Sequence, residues 1–190
     1  MNPIYTICIF VFVSAHLIAQ TVSSGVYLTI NDYKSNKLAE EVECKKTSKE
    51  VFKKHDFFAK SSFVVVNKGV KTTYLKKDIY AYRDCENRVW RFYKNHEYEI
   101  LEAKKIYVYA LDKIVLNGIA VEKDPIYYFS DGANGEIKKL TTSNLKAAYP
   151  NNQRLYSLLD AYVKTNEGLK GFDATRNTYI VNYLYGEAIK

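Results

Sequence analysis

Arginines set between aromatic rings are the feature of this chain with most chemical potential. Arg83, Arg88, Arg91 and Lys94 interleave with Tyr82, Trp90, Phe92 and Tyr93. A surface of this kind can stack planar rings or hold anions. Tyr80, Tyr82, Arg83, Trp90 and Arg91 are therefore the candidate ligand-binding residues. The competing reading is structural: an antiparallel sheet with one core face and one solvated face gives the same alternation without any ligand. The RNP1 pattern of RNA-binding sheets is not matched.

Other chemistry is thinly represented. His55 and His96 stand apart from any Cys or acid cluster with metal-ligand spacing, whereas zinc sites usually declare themselves by close Cys/His pairs. His96, in a Lys94-Asn95-His96 break, reads as a solvated turn residue. Ser130 precedes Asp131-Gly132, but no G-x-S-x-G elbow surrounds it, so a turn role is expected. Glu97 and Glu99 fit an exposed strand face, and sequence alone cannot pair carboxylates for glycoside cleavage. No glycine-rich phosphate loop is present. The sequence thus nominates no catalytic residue, no metal ligand and no cofactor.

The elements that must position the arginines are strands. From Ile79 to Leu111 apolar and aromatic residues alternate: Ile79, Ala81 and Arg83 against Tyr80 and Tyr82; Val89, Arg91 and Tyr93 against Trp90 and Phe92; Ile106, Val108 and Ala110 against Tyr107, Tyr109 and Leu111. Period two with β-branched and aromatic residues predicts strands, and the short polar breaks predict antiparallel neighbours. Ser62–Val66 and Val70–Leu75 flank Asn67-Lys68-Gly69 as a hairpin expected to join this meander. Asn117-Gly118 predicts another hairpin, Pro125 should begin a strand, and Glu136–Leu140 should return from the turn at Asp131–Gly135. Thr29 and Asp32 have the spacing of a capping box. Phe57 and Phe58 are expected in the core, and a brief strand near Val42–Cys44.

Beyond residue 140 the period changes. Thr142 can cap a short helix that Pro150 ends, and Asn151 or Asn152 caps a second, with Leu155, Leu158, Leu159 and Tyr162 on one stripe. The tail Tyr179–Tyr185 is ambiguous between strand and helix, and its position after helices favours helix. Strands followed by helices predict an α+β fold: an antiparallel β-meander of roughly seven to nine strands with two or three C-terminal helices. Residues 20–190 form one domain, 20–140 mostly β and 141–190 mostly helical.

Residues 1–19 stand apart. Ile4 to Ile18 is almost continuously apolar and carries no Lys or Arg. It is short for a membrane span, which needs about 20 residues, and it matches the apolar core of a secretory signal cleaved after Ala19, with a retained anchor as the alternative. The expected location is periplasmic or secreted, with no transmembrane helix after cleavage and nucleic acid largely out of reach. Removing this segment leaves the formal charge at +7 and leaves two cysteines, Cys44 and Cys85. Two thiols in an oxidising compartment often pair, but two separate buried thiols remain open. The composition, 47% hydrophobic and 26% charged, excludes a disordered chain. Its outlier is tyrosine, at 18 residues.

Gly25-Val-Tyr-Leu-Thr-Ile-Asn-Asp-Tyr, Lys77-Asp-Ile-Tyr-Ala-Tyr-Arg-Asp-Cys and Arg91-Phe-Tyr, with Ile126-Tyr-Tyr-Phe-Ser, Leu140-Thr-Thr-Ser-Asn-Leu-Lys-Ala-Ala-Tyr-Pro and Tyr179-Ile-Val-Asn, resemble a group of exported proteins of uncharacterised function from Bacteroidota-type bacteria. The resemblance implies export, an N-terminal signal and a compact β-rich domain, and brings no activity or ligand. The expected function is a non-enzymatic exported binding domain that touches an anionic envelope component, a glycan or another protein. The rivals are an envelope hydrolase whose carboxylates meet only in three dimensions, and a small subunit of an envelope assembly.

Overall fold

The computed structural model describes residues 23–42, 44, 51–53, 60–117 and 120–190, and the side chains of 112–124 fall outside that description. The signal segment with its cut after Ala19, His55, Phe57, Phe58 and Gly118 lie outside the described residues.

The fold is α+β, built on an eight-stranded antiparallel sheet. In chain order its strands are β1 (Ser24–Tyr27), β2 (Glu40–Val42), β6 (Ala81–Arg83), β7 (Val89–Tyr93), β8 (His96–Ala103), β9 (Ile106–Asn117), β10 (Ala120–Asp131) and β11 (Lys138–Lys139). Their spatial order is β11-β10-β9-β8-β7-β6-β1-β2, so β6 to β11 form a meander and the N-terminal strands extend its far edge. Three further strands, β3 (Phe52–Lys53), β4 (Ser62–Asn67) and β5 (Val70–Leu75), make a second sheet. The β4–β5 hairpin is therefore not a continuation of the meander, as its sequence neighbourhood suggested; it folds over one of its faces. Its turn is Lys68-Gly69, both at positive φ, as a two-residue hairpin between right-twisted strands requires.

Strand register sorts the main sheet into two faces. Opposed residues lie on the same side. Val26, Tyr82 and Trp90 are matched in this way, and so are Val108 and Phe129. This first face is covered twice. Phe52, Phe63 and Val65 of the small sheet pack on Tyr82, Trp90 and Phe92, with ring centroids 4.7 Å apart for Phe63 and Tyr82. Farther along, Ile106, Val108 and Phe129 pack under the C-terminal helices, through Leu145, Leu155, Leu159, Val181 and Leu184. The second face is the tyrosine face: Tyr98, Tyr107 and Tyr109 gather there with Ala133 and Ile137, bordered by Tyr33, Tyr80, Tyr93 and Tyr128. It is not the plainly solvated face that alternation suggests, because the loop after β10 and the turn of helix α1 (Ile30–Lys34) lie on it.

The helices follow their caps. Thr29 and Asp32 close a reciprocal capping box at α1. Thr141, one residue earlier than expected, caps α2 (Thr142–Ala148), and Asn152 caps α3 (Gln153–Tyr162). On α3, Leu155 and Leu159 are fully buried, but Tyr162 is 66% exposed, so the apolar stripe ends a turn early. The tail is helix α4 (Ile180–Ala188), which buries Val181, Asn182 and Leu184. Pro125 sits inside β10, opposite Asp112, and not at a strand start. There β11 does not reach, since it pairs only with Tyr128 and Phe129; β10 is an edge strand at that point and tolerates a residue without an N–H.

Two anchors fix the ends of the sheet. Cys44 and Cys85 are joined by a disulfide with Cα atoms 5.5 Å apart, within the ordinary bonding span. At the other end a β-bulge in β8, between Ile100 and Glu102, aims the Glu102 carboxylate at the C-terminal segment. It accepts hydrogen bonds from Thr178 Oγ1 (2.8 Å), Tyr179 N (3.2 Å) and Asn182 Nδ2 (2.7 Å), and Lys104 lies at 2.8 Å. Burial works to raise its pKa, but these donors prevail and hold the carboxyl below its usual range. Asn182 also clasps both the N–H and the C=O of Ile106, so one side chain ties α4 to the sheet.

Candidate functional site

The five nominated residues do not converge. Tyr82 and Trp90 belong to the first face: Tyr82 is fully buried beneath the small sheet, its hydroxyl donating to Glu97 Oε2 at 3.0 Å. Trp90 donates its indole N–H to the buried carboxylate of Asp84. That carboxylate also accepts from Arg88 and from the backbone N–H groups of Glu86 and Arg88, so it organises the β6–β7 turn. Arg83 lies elsewhere, donating to Ser23 O, Tyr27 Oη and Asn36 Oδ1.

Tyr80 and Arg91 do meet, on the tyrosine face. Strict alternation would have put Tyr80 with Tyr82. Instead it precedes β6 and turns to the opposite side, its ring over the Arg91 guanidinium at 5.4 Å and its hydroxyl donating to Ala133 O. The alternation breaks where Tyr80 N–H is shared between the carbonyls of Tyr27 and Leu28.

Arg91 is the centre of this arrangement. It is only 5% exposed, and it has no carboxylate partner among the described residues. Nη1 donates to Tyr109 Oη (2.7 Å) and Ser130 Oγ (3.3 Å), and Nη2 to Gly135 O (3.0 Å). Tyr80, Tyr93 and Tyr109 surround the guanidinium at 5.4–5.7 Å, where ring faces attract a cation. Nε is buried and meets no acceptor. Ser130 is more than a turn residue: its hydroxyl donates to Gly132 O and joins the Tyr109–Arg91 network. Burial raises the pKa of Tyr109, against the pull of Arg91, and pushes Tyr80 up strongly, so both phenols stay neutral beside the cation.

Above Arg91 opens a cleft of about 430 Å³, the size of small-molecule sites. Its walls are turns: Leu28–Ile30 entering α1, the segment Lys76–Tyr80, the β7–β8 turn and Asn134. Lys94 and Asn95 make that turn with both φ values positive, which places Lys94 on the rim at 71% side-chain exposure. Lys76 is buried and committed, 3.0 Å from Glu97 Oε1 and from Asn95 O. Lys77 is exposed, Lys94 has Glu136 at 3.6 Å, and Asp78 supplies the lining's one carboxylate. Cations and aromatic rings therefore dominate the cleft. Lys77 and Asn134 lie in the polar connections next to the aromatic strands, and nothing in their residue types marks them from other loop residues. Tyr93 and Lys94 lay within the interleaved stretch but carried no mark separating them from Trp90 and Phe92.

Among the described residues no cluster of three or more His, Cys, Asp or Glu has metal-binding proximity, and no helix is long and apolar enough to cross a membrane. No family model matches the chain, and neither a curated protein nor a solved structure matches it.

Proposed function

We propose that this chain is an exported, non-enzymatic binding domain of the cell envelope or its surroundings, and that the cleft over Arg91 is where it binds. The observation that carries this reading is Arg91 itself: a buried guanidinium beneath a cleft, with no carboxylate among the described residues to neutralise it and with Nε lacking an acceptor among them. A buried cation of this kind is costly unless something compensates it. Three tyrosine rings and neutral oxygens compensate it in part, and an anionic ligand would complete the task. The lining supports binding rather than acid–base catalysis, since Asp78 is exposed and has no second carboxylate beside it in the cleft. Export is supported by the apolar Ile4–Ile18 segment and by the Cys44–Cys85 bond, which suits an oxidising compartment.

The test is a thermal-shift and calorimetric screen of the exported protein against small anions: inorganic phosphate, sulfate, citrate, aspartate and glucuronate. Stabilisation by at least one of them that is lost on Arg91→Met supports the reading. A flat response across the whole panel contradicts it.

A further inference from the structure

We infer that the cleft takes an acidic saccharide, a sugar unit carrying a carboxylate, with the anionic group toward Arg91 and the ring against Tyr80 and Tyr93. The inference rests on the preceding reading and narrows it. Size argues first. A space of about 430 Å³ is far more than an inorganic oxyanion occupies and suits one or two sugar rings. The mixture of lining groups argues second. Tyr80 and Tyr93 are half-buried and give apolar walls for a sugar's C–H face; Asn95 and Asn134 are exposed amides that can both donate to and accept from hydroxyls. Lys77 and Lys94 supply positive charge at the mouth, tempered by Asp78 and by Glu136 3.6 Å from Lys94. Arg91 then gives the site its directionality. Both Nη1 hydrogens and one on Nη2 are engaged, and Nε–H is unpaired but wholly buried, so the remaining Nη2–H is the donor left for a ligand oxygen.

An acidic peptide fits less well. Addition to a free strand edge is one common way to grip an extended peptide, and the edge strands of the two larger sheets are β2, β11, β3 and β5. None of these strands lines the cleft, whose walls come from turns and from the inner strand β7.

The experiment is isothermal titration of the full exported chain with four probes at equal ionic strength: a digalacturonate, the neutral cellobiose, inorganic phosphate and penta-aspartate. The expected result is digalacturonate binding at least ten-fold tighter than each of the others. Because Arg91→Lys can perturb folding, the paired variant is the rim change Lys77→Glu with Lys94→Glu, which should keep the melting temperature and weaken digalacturonate at least five-fold. Phosphate or penta-aspartate binding as tightly as digalacturonate overturns the saccharide assignment and leaves the anion-binding reading intact. Cellobiose binding equally well overturns the role of the charge. Silence from all four removes both.

Discussion

Replacing Glu102 by alanine tests how the C-terminal helix is held to the sheet. The carboxylate is 8% exposed and accepts from Thr178 Oγ1, Tyr179 N and Asn182 Nδ2. Its removal strands those donors in a dry place. Lys104 is half-exposed and can turn to water, and Asn182 keeps Ile106 O as an acceptor. A hydrogen bond to a charged group contributes about 1.5–3 kcal/mol, and a buried donor left unpaired costs about 1–3 kcal/mol. Two fully stranded donors, with some relief from no longer burying a charge, give a loss of about 3 kcal/mol. With a urea slope of about 2 kcal/mol/M, the unfolding midpoint should fall by about 1.5 M. Glu102→Gln keeps the shape and one acceptor oxygen, so it should lose about half as much. The charge adds a pH signature. Because the folded carboxyl titrates below its unfolded value of roughly 4.3, its contribution is complete above that pH and disappears as pH falls through the folded value. The wild-type advantage over Glu102→Gln should therefore be constant near neutrality and close in acid. Equal midpoints for wild type and Glu102→Ala at pH 7, or a gap that widens on acidification, would refute this reasoning.

Three further outcomes follow from the same structure. Lys76→Met removes a buried cation 3.0 Å from the buried Glu97 carboxylate, and urea unfolding should show a loss of about 3–5 kcal/mol; a neutral effect would mean the pair is solvated. Reducing the Cys44–Cys85 bond frees a closed loop spanning a separation of 41 residues, for which the chain-entropy relation gives about 4 kcal/mol, read as the difference in unfolding free energy with and without reductant. In an ultraviolet titration, Tyr98 and Tyr179 should ionise late, at about 12, chiefly because burial disfavours the phenolate. A raised phenol pKa stabilises the fold below the unfolded value of about 10 and is lost as pH climbs through the folded one, so Tyr98→Phe should remove one phenolate from the late class.

What the sequence made legible was whatever depends on local period and chemistry. The alternation from Val89 to Tyr93 and from Ile106 to Leu111 is observed, because each strand has both faces packed against different partners. The capping box at Thr29 and the cap at Asn152 are local hydrogen-bond motifs and stand where the residues put them. What failed needed three-dimensional information. The β4–β5 hairpin carries the same signal whether it extends a sheet or covers one, and only Phe63 against Tyr82 decides the matter. Tyr80 looked equivalent to Tyr82 until a shared backbone hydrogen bond broke the alternation between them. The candidate site was half visible. Tyr80 and Arg91 meet on the tyrosine face, whereas Trp90 and Tyr82, of like composition, are core. The second anchor of Arg91, the Gly135 carbonyl, is 44 residues away in the chain. A Cβ on Gly135 would lie 2.6 Å from Asp131 O, so that loop tolerates only glycine, a constraint no spacing announced.

Occupancy of the cleft over Arg91 is open to direct measurement. Backbone and arginine side-chain NMR of the oxidised protein during titration with digalacturonate tests this most directly. The expected result is a set of shifts confined to Tyr80, Arg91, Tyr93, Asn95 and Asn134, with the Arg91 side-chain resonances moving as Nη2 gains an acceptor. Shifts centred on the open notch between Tyr149 and Tyr185, or an Arg91 signal that stays still at saturation, would contradict it.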